Sequence, residues 1–221
     1  MTISRILAAA TATAAVALAA PAMAQASCDR ATLRDIADRY VAAQAQGSLF
    51  ALPVGEWVDY RENLEMTSSA TGVLGTPMEF AWTLKLLDPQ QCKVFVEGVI
   101  LEPKEYVLAT VVNNGFFGVN QIGTVIGGGN AAEALAQARG EDWAELPEDG
   151  RAERAQLLAA ANAHLDGLDD EIVERSFVVD ESRGAVGVFA RVGDTGGSAA
   201  SYAFRIKDGA VRHVHASVSV D

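Results

Sequence analysis

Cations, histidines and cysteines are scarce in this chain. Its 221 residues include 17 Lys and Arg against 29 Asp and Glu, a formal net charge of −12, with three histidines and two cysteines. Phosphate neutralisation needs clustered cations and no basic stripe appears, so no nucleic acid is expected as a partner. Two cysteines cannot build a four-cysteine zinc site, and the paired Cys and His spacings of other structural zinc sites are absent. No metal and no cofactor is therefore expected. After residue 24 no apolar run approaches transmembrane length, which leaves no expected membrane partner for the remainder. Half of the residues are apolar, enough for a sizeable core and too many for a disordered chain.

Residues 1–24 read as an export signal. Arg5 supplies the positive start, Ile6 to Ala20 is an Ala, Val and Leu run, and Ala22-Met23-Ala24 makes a small-residue cleavage site after Pro21. A secreted or periplasmic protein is expected, with residues 25–221 as its domain. In an oxidising compartment Cys28 and Cys92 read as one disulfide, tying the start of the domain to a strand; a catalytic thiol is the alternative.

Leu33, Ile36, Ala37, Tyr40 and Val41 follow helical spacing, and a helix is predicted from Asp29 to near Gly47. Strands are predicted at Trp57–Met66, Glu79–Lys85, Lys93–Leu101 and Glu105–Val112, with turns at Asp88-Pro89 and Glu102-Pro103-Lys104. Asn113–Asn130, rich in glycine and asparagine, reads as a linker or lid that leads into a short helix over Ala131–Arg139, capped by Asn130. It lacks the spacing of a phosphate-binding loop. A helix over Arg151–Leu168 then precedes strands at Ile172–Val179, Ala185–Val192, Ser198–Ile206 and Ala210–Val220. A 124-residue offset lays Arg30, Leu33, Ala37 and Tyr40 on Arg154, Leu157, Ala161 and His164. The pattern predicts an α+β fold with two units of helix plus antiparallel sheet, residues 25–113 and 150–221, joined by 114–149.

Several segments carry a family resemblance. Arg175-Ser176-Phe177-Val178-Val179-Asp180-Glu181, Gly184-Ala185-Val186-Gly187-Val188-Phe189, Tyr202-Ala203-Phe204-Arg205 and Arg212-His213-Val214-His215 look like the closing strands of a secreted family common in fungi. Cys28-Asp29-Arg30, Tyr40-Val41-Ala42-Ala43-Gln44, Tyr60-Arg61-Glu62-Asn63 and Trp143 extend the likeness. That family resembles the SnoaL-like and nuclear-transport-factor-2-like folds. The resemblance implies a curved antiparallel sheet packed on helices as a cone around an apolar pocket. Enzymes of this fold group are mainly cofactor-free dehydratases, isomerases, cyclases, epoxide hydrolases and lyases on small hydrophobic molecules, and the fold also hosts pure binding modules.

Candidate chemistry starts on the first strand. Alternation puts Val58, Tyr60, Glu62, Leu64 and Met66 on one face, so Glu62 points where apolar residues point, a setting that suits a proton carrier. The plainer reading is a Tyr60–Glu62 hydrogen bond. On the last strand His213 and His215 share a face with Val211 and Ser217; a histidine is also implied at position 215 by the resemblance. Two histidines so spaced can begin a metal site, but no third ligand can be named. Arg205 reads as an anion or carbonyl clamp, or else a surface ion pair. Trp57, Trp82 and Trp143 read as core or pocket wall, His164 as packing, and Glu141-Asp142 as a solvated acidic turn.

Taken with these residues, the resemblance implies an exported, cofactor-independent acid/base enzyme on a small hydrophobic or aromatic substrate, such as a plant-derived phenolic: a lyase, an isomerase, or a hydrolase of ethers or epoxides. Glu62 would move the proton with His215 as partner and Tyr60 polarising a substrate oxygen, while Asn63, Arg205, His213 and Trp143 would hold the substrate. The alternatives are a small-molecule carrier without catalysis, and a protein that forms a homodimer through an open sheet.

Overall fold

In the computed structural model, which describes residues 28–193 and 196–219, the first apolar stripe forms helix α1 (Arg30–Gln46). The Asp29 side chain caps it by accepting from Thr32 N, and Gly47 ends it at φ 63°, a left-handed conformation that costs glycine little. The expected leader lies outside the described residues. Strands β1 (Val54–Glu62), β2 (Glu65–Met66), β3 (Trp82–Asp88), β4 (Lys93–Ile100), β5 (Tyr106–Gly115) and β6 (Gly118–Gly127) follow. They form one sheet in the order β2-β1-β6-β5-β4-β3, antiparallel except for the parallel β1–β6 pair. After helices α2 (Ala131–Arg139) and α3 (Arg154–Asp166), strands β7 (Ile172–Asp180), β8 (Ala185–Val192), β9 (Ser198–Lys207) and β10 (Ala210–Val218) make a second, fully antiparallel sheet, β10-β9-β8-β7. Among the described residues no helix is long and apolar enough to cross a membrane.

Alternation along the strands sorts side chains into layers. Val94 and Val96 of β4 face α1, where Leu33, Ile36, Ala37 and Tyr40 cover the six-stranded sheet. Phe95, between them, faces the other way and meets Phe189 of β8 at 6.2 Å between rings. Val186, Val188 and Ala190 of β8 pack instead on Leu157, Ala161 and Leu165 of α3. The order is therefore α1, six-stranded sheet, four-stranded sheet, α3, with a buried polar chain from Tyr40 Oη to Thr110 (2.6 Å) and on to Thr124 (3.0 Å) pinning α1 to its sheet. Gly187 has no side chain because Phe95 fills the space: a Cβ there would fall 2.5 Å from the ring.

Asn113–Asn130 is not a linker. It contains the end of β5 and all of β6, whose Val119, Ile122 and Val125 are fully buried, so the first helix-plus-sheet unit runs to Gly127 rather than to residue 113. Its glycines mark close approach: Gly123 lies against Phe189 and Gly127 against Ser217. The expected strand Trp57–Met66 also breaks, because Asn63 and Leu64 turn at positive φ. Omitting the inserted β1 and β2, both halves run helix then four strands, in matching strand order.

The 124-residue offset acquires a physical meaning at the helix starts. Arg154, at the start of α3, donates from both Nη atoms to Asp88 at 2.8 Å, and Arg30, at the start of α1, donates to Asp180 at 2.8 and 3.3 Å. Each aspartate also accepts a backbone N–H from the opposite half, Val179 to Asp88 at 2.9 Å and Leu87 to Asp180 at 3.0 Å. Each half thus closes on a buried carboxylate of the other.

Cys28 and Cys92 form a disulfide with a Cα–Cα distance of 5.1 Å, linking the residue before the α1 cap to the β3–β4 turn. Closing a loop across 64 residues is worth about 4 kcal/mol in the chain-entropy account. Reduction should therefore lower the calorimetric Tm by many degrees; an unchanged Tm would show that the bond constrains nothing.

Candidate functional site

Glu97 is the carboxylate of an otherwise apolar stretch. It sits on β4 between Val96 and Gly98, opposite Leu84 of β3 and Ala109 of β5, on the face away from α1 that it shares with Phe95, which meets the second sheet, and Val99, which meets α2. Only 4% of it is exposed. A carboxylate there must be hydrogen-bonded or neutral. Its partner is His215 of β10, whose Nδ1 lies 2.5 Å from Glu97 Oε1.

A bulge aims that histidine. Val211 pairs with Ile206 but His213 pairs with Arg205, so β10 carries one extra residue between them. Val211 then packs on the α3 side, while His213, His215 and Ser217 face the first sheet. Val211 does not share the histidines' face as strict alternation predicted.

The second ring nitrogen meets Glu141, in the turn after α2: His215 Nε2 to Glu141 Oε2 is 2.7 Å. Glu141 also accepts from Trp143 Nε1 (2.9 Å) and Gln137 Nε2 (3.0 Å), and His213 Nδ1 stands 3.7 Å from its other oxygen. It is a partly buried hub, not the solvated turn the sequence suggested. Trp143 and Trp82 wall the imidazole at 5.0 and 5.7 Å between ring centres. Burial opposes charge on His215, but the hydrogen bonds and charges of Glu97 and then Glu141 outweigh it, and its pKa stands above the ordinary 6.5. Burial likewise works against the Glu141 carboxylate, yet hydrogen bonds from Gln137 and Trp143, with the charge of His215, hold its pKa below the usual range. Each ring nitrogen thus faces a glutamate oxygen, and it is the protonated ring, with an N–H on both sides, that can donate to both at once. Glu141 lines an open trough of about 480 Å³ with Trp82, Thr83, Trp143 and Arg183.

Glu62 and Tyr60 lie elsewhere. Tyr60 is buried under α1, on the far face of the six-stranded sheet from His215. Its hydroxyl donates to Glu62 Oε1 at 2.7 Å, and the same oxygen accepts from Val73 N, while Leu74 N donates to Tyr60 Oη at 3.3 Å. Burial, then the neighbouring carboxylate, pushes the Tyr60 phenol well up. The expected Glu62–His215 partnership is therefore not formed: a sheet separates them, and both His215 nitrogens are engaged by other glutamates. Glu62 and Tyr60 together anchor the 73–74 backbone. Asn63 Oδ1 accepts from Ile126 N at 2.9 Å, which extends the β1–β6 pairing. Trp57, expected in the core or a pocket wall, is 77% exposed.

Trp143 and His213 do gather at His215, and their rings stand 6.1 Å apart. Arg205 lies one strand over, paired in register with His213. Among the described residues no group of three or more His, Cys, Asp or Glu is placed to hold a metal ion.

A family model described as a domain of unknown function (DUF8021) matches residues 168–218, which hold β7 to β10 and with them Arg205, His213 and His215. No curated protein and no solved structure matches the chain.

Proposed function

We propose that this is an exported, cofactor-independent acid/base enzyme acting on a small hydrophobic or aromatic molecule, with Glu97, His215 and Glu141 as its proton-carrying unit. The observation that carries the reading is the largely enclosed histidine, its side chain 10% exposed, held between two glutamates at 2.5 and 2.7 Å and walled by two tryptophans. Buried charges on this scale are costly to stability and cluster where chemistry uses them. The disulfide, the leader-like first 24 residues and the likeness of the closing strands to the SnoaL-like family support export and the reaction class.

Each residue then has a role. A ring-shaped substrate lies in the trough against Trp82 and Trp143. Glu141 exchanges the proton with it, as the member of the unit that lines the trough. Nε2 of His215 supplies or recovers that proton, and Glu97 fixes the ring and balances its charge from below. Elimination of an oxygen group and the opening of an ether or epoxide use such a proton carrier at the departing oxygen, and isomerisation uses it to take a proton from one position and return it at another.

The test is a chromatographic and mass-spectrometric time course of the oxidised protein, without added cofactors, against aryl ethers, epoxides and hydroxylated phenolics. Product that appears with wild type and fails with folded His215→Gln supports the reading. Compounds retained but recovered unchanged would replace it with a carrier.

A further inference from the structure

Beside the proton-carrying unit, at the β9–β10 end of the second sheet, lies an open cavity of about 400 Å³ lined by Arg205, Lys207, Arg212, His213, Asp142 and Asp208. Four of these six are bases in a chain whose net charge is −12. Arg205 is the exceptional member. It is 3% exposed, and one of its Nη atoms is buried without a hydrogen-bond partner. No described residue accepts from or ion-pairs with its guanidinium; Asp142 and Asp180 attract it, and Arg183 repels it, only through space. Every other deeply buried charge named above is matched: Asp88 by Arg154, Asp180 by Arg30, Glu97 by His215.

The two acids of the cavity do not fill the gap. Asp208 reaches Arg212 at 3.7 Å on the exposed rim, and Asp142 accepts from Ala144 N at 2.9 Å. A guanidinium is a planar fork of donors suited to two oxygens in one plane, and leaving it buried and unmatched is a cost that a bound anion removes. Asp142 lines this cavity and the tryptophan-walled trough alike, so the two are neighbours.

From this geometry we infer a binding site for the carboxylate of an aromatic acid: Arg205 clamps the carboxylate, Lys207 and His213 flank it, and the ring extends toward Trp143. The site deepens the proposed function by naming its substrate class, and rests on that reading only for what happens after binding. The carboxylate holds the molecule in place while its ring substituents meet Glu141.

Calorimetric titration of the full disulfide-bonded protein tests it, with benzoate as probe, benzamide as the neutral match and inorganic phosphate as the competing oxyanion. Benzoate should bind saturably and at least about tenfold more tightly than benzamide, as expected for a charge-assisted hydrogen bond. Arg205→Met and Arg205→Lys should each weaken benzoate by a similar factor, the lysine because it cannot present the fork. Lys93→Gln, in a separate basic cavity beside Arg191, should leave binding unchanged. Ligand-free Arg205→Met should melt higher than wild type, because it removes an unmatched buried charge; a residue kept for stability would do the reverse. Equal affinity for benzoate and benzamide, or undiminished binding by the Arg205 variants, would overturn the site, and tighter binding of phosphate would overturn its assignment to carboxylates. Should Arg205→Met fail to fold, Lys207→Ala reads the same site from its rim, with weaker benzoate binding expected. Benzoate binding without turnover of any aromatic acid would sustain the site and refute only the enzyme reading.

Discussion

Arg154→Met should lower the unfolding free energy by about 3–5 kcal/mol, a large part of the stability of an ordinary domain. Asp88 is fully buried and receives both Nη atoms of Arg154 at 2.8 Å. Methionine keeps the stem's packing but strands a carboxylate between the two halves, where Val179 N and Gln91 N are its remaining donors. The cost is therefore an uncompensated buried charge rather than a lost contact. Adding Asp88→Asn should recover part of the loss, since the amide oxygen still accepts from Val179 N without a charge. Arg34→Gln is the contrast: its partner Glu145 is substantially exposed, and the change should cost less than about 1 kcal/mol. Urea denaturation checks all three. A shift for Arg154→Met no larger than that of Arg34→Gln would show that the reciprocal pairs do not hold the halves together.

The same residues show what the sequence could reveal. The helical stripes of α1 and α3 were legible because burial on one side imposes the period, and the 124-residue offset of Arg30 and Arg154 was visible before either had a partner. Strand β6 was hidden by glycines at Gly123 and Gly127, which record the neighbouring sheet rather than a flexible loop. Alternation correctly placed Glu62 with Tyr60, but a period of two cannot say whether a face meets a helix or a second sheet. That ambiguity paired Glu62, which lies toward α1, with a histidine on the other face, and obscured Glu97, which lies toward β10. Glu97 was nonetheless detectable as the lone acid of Val94-Phe95-Val96-Glu97-Gly98-Val99-Ile100. Glu141 carried no such signal, because Gly140-Glu141-Asp142 has the composition of a solvated turn and only its fold position partly encloses it. The bulge that turns His213 and His215 toward the first sheet likewise depends on cross-strand pairing that one strand's sequence does not display.

The largest functional effects should fall on Glu141 and His215. Glu141→Gln and His215→Gln should each reduce turnover about 10²–10⁴-fold, the range expected for a positioned proton carrier. The double variant should be little worse than either single one, because residues acting as a unit do not contribute additively. Glu62→Gln should leave turnover near wild type while lowering stability, since it weakens the anchor on Val73 N and Tyr60. Parallel rates and melting temperatures separate the cases. Full activity in folded Glu141→Gln, or its loss in folded Glu62→Gln, would move the chemistry to the other face of the sheet.

The most direct test of the central claim is the titration of the His215 ring nitrogens by long-range proton–nitrogen NMR. With Glu97 and Glu141 on its two sides, the ring should remain doubly protonated past the ordinary pKa of 6.5, and Glu97→Gln should bring the midpoint down. A pKa raised on folding gives stability that is complete below about 6.5 and lost as pH rises through the folded-state value, so chemical denaturation should follow the same midpoint. A His215 that titrates above 6.5 and falls with Glu97→Gln is the predicted result. A ring already neutral on one nitrogen at pH 6.5, and indifferent to Glu97, would contradict the account.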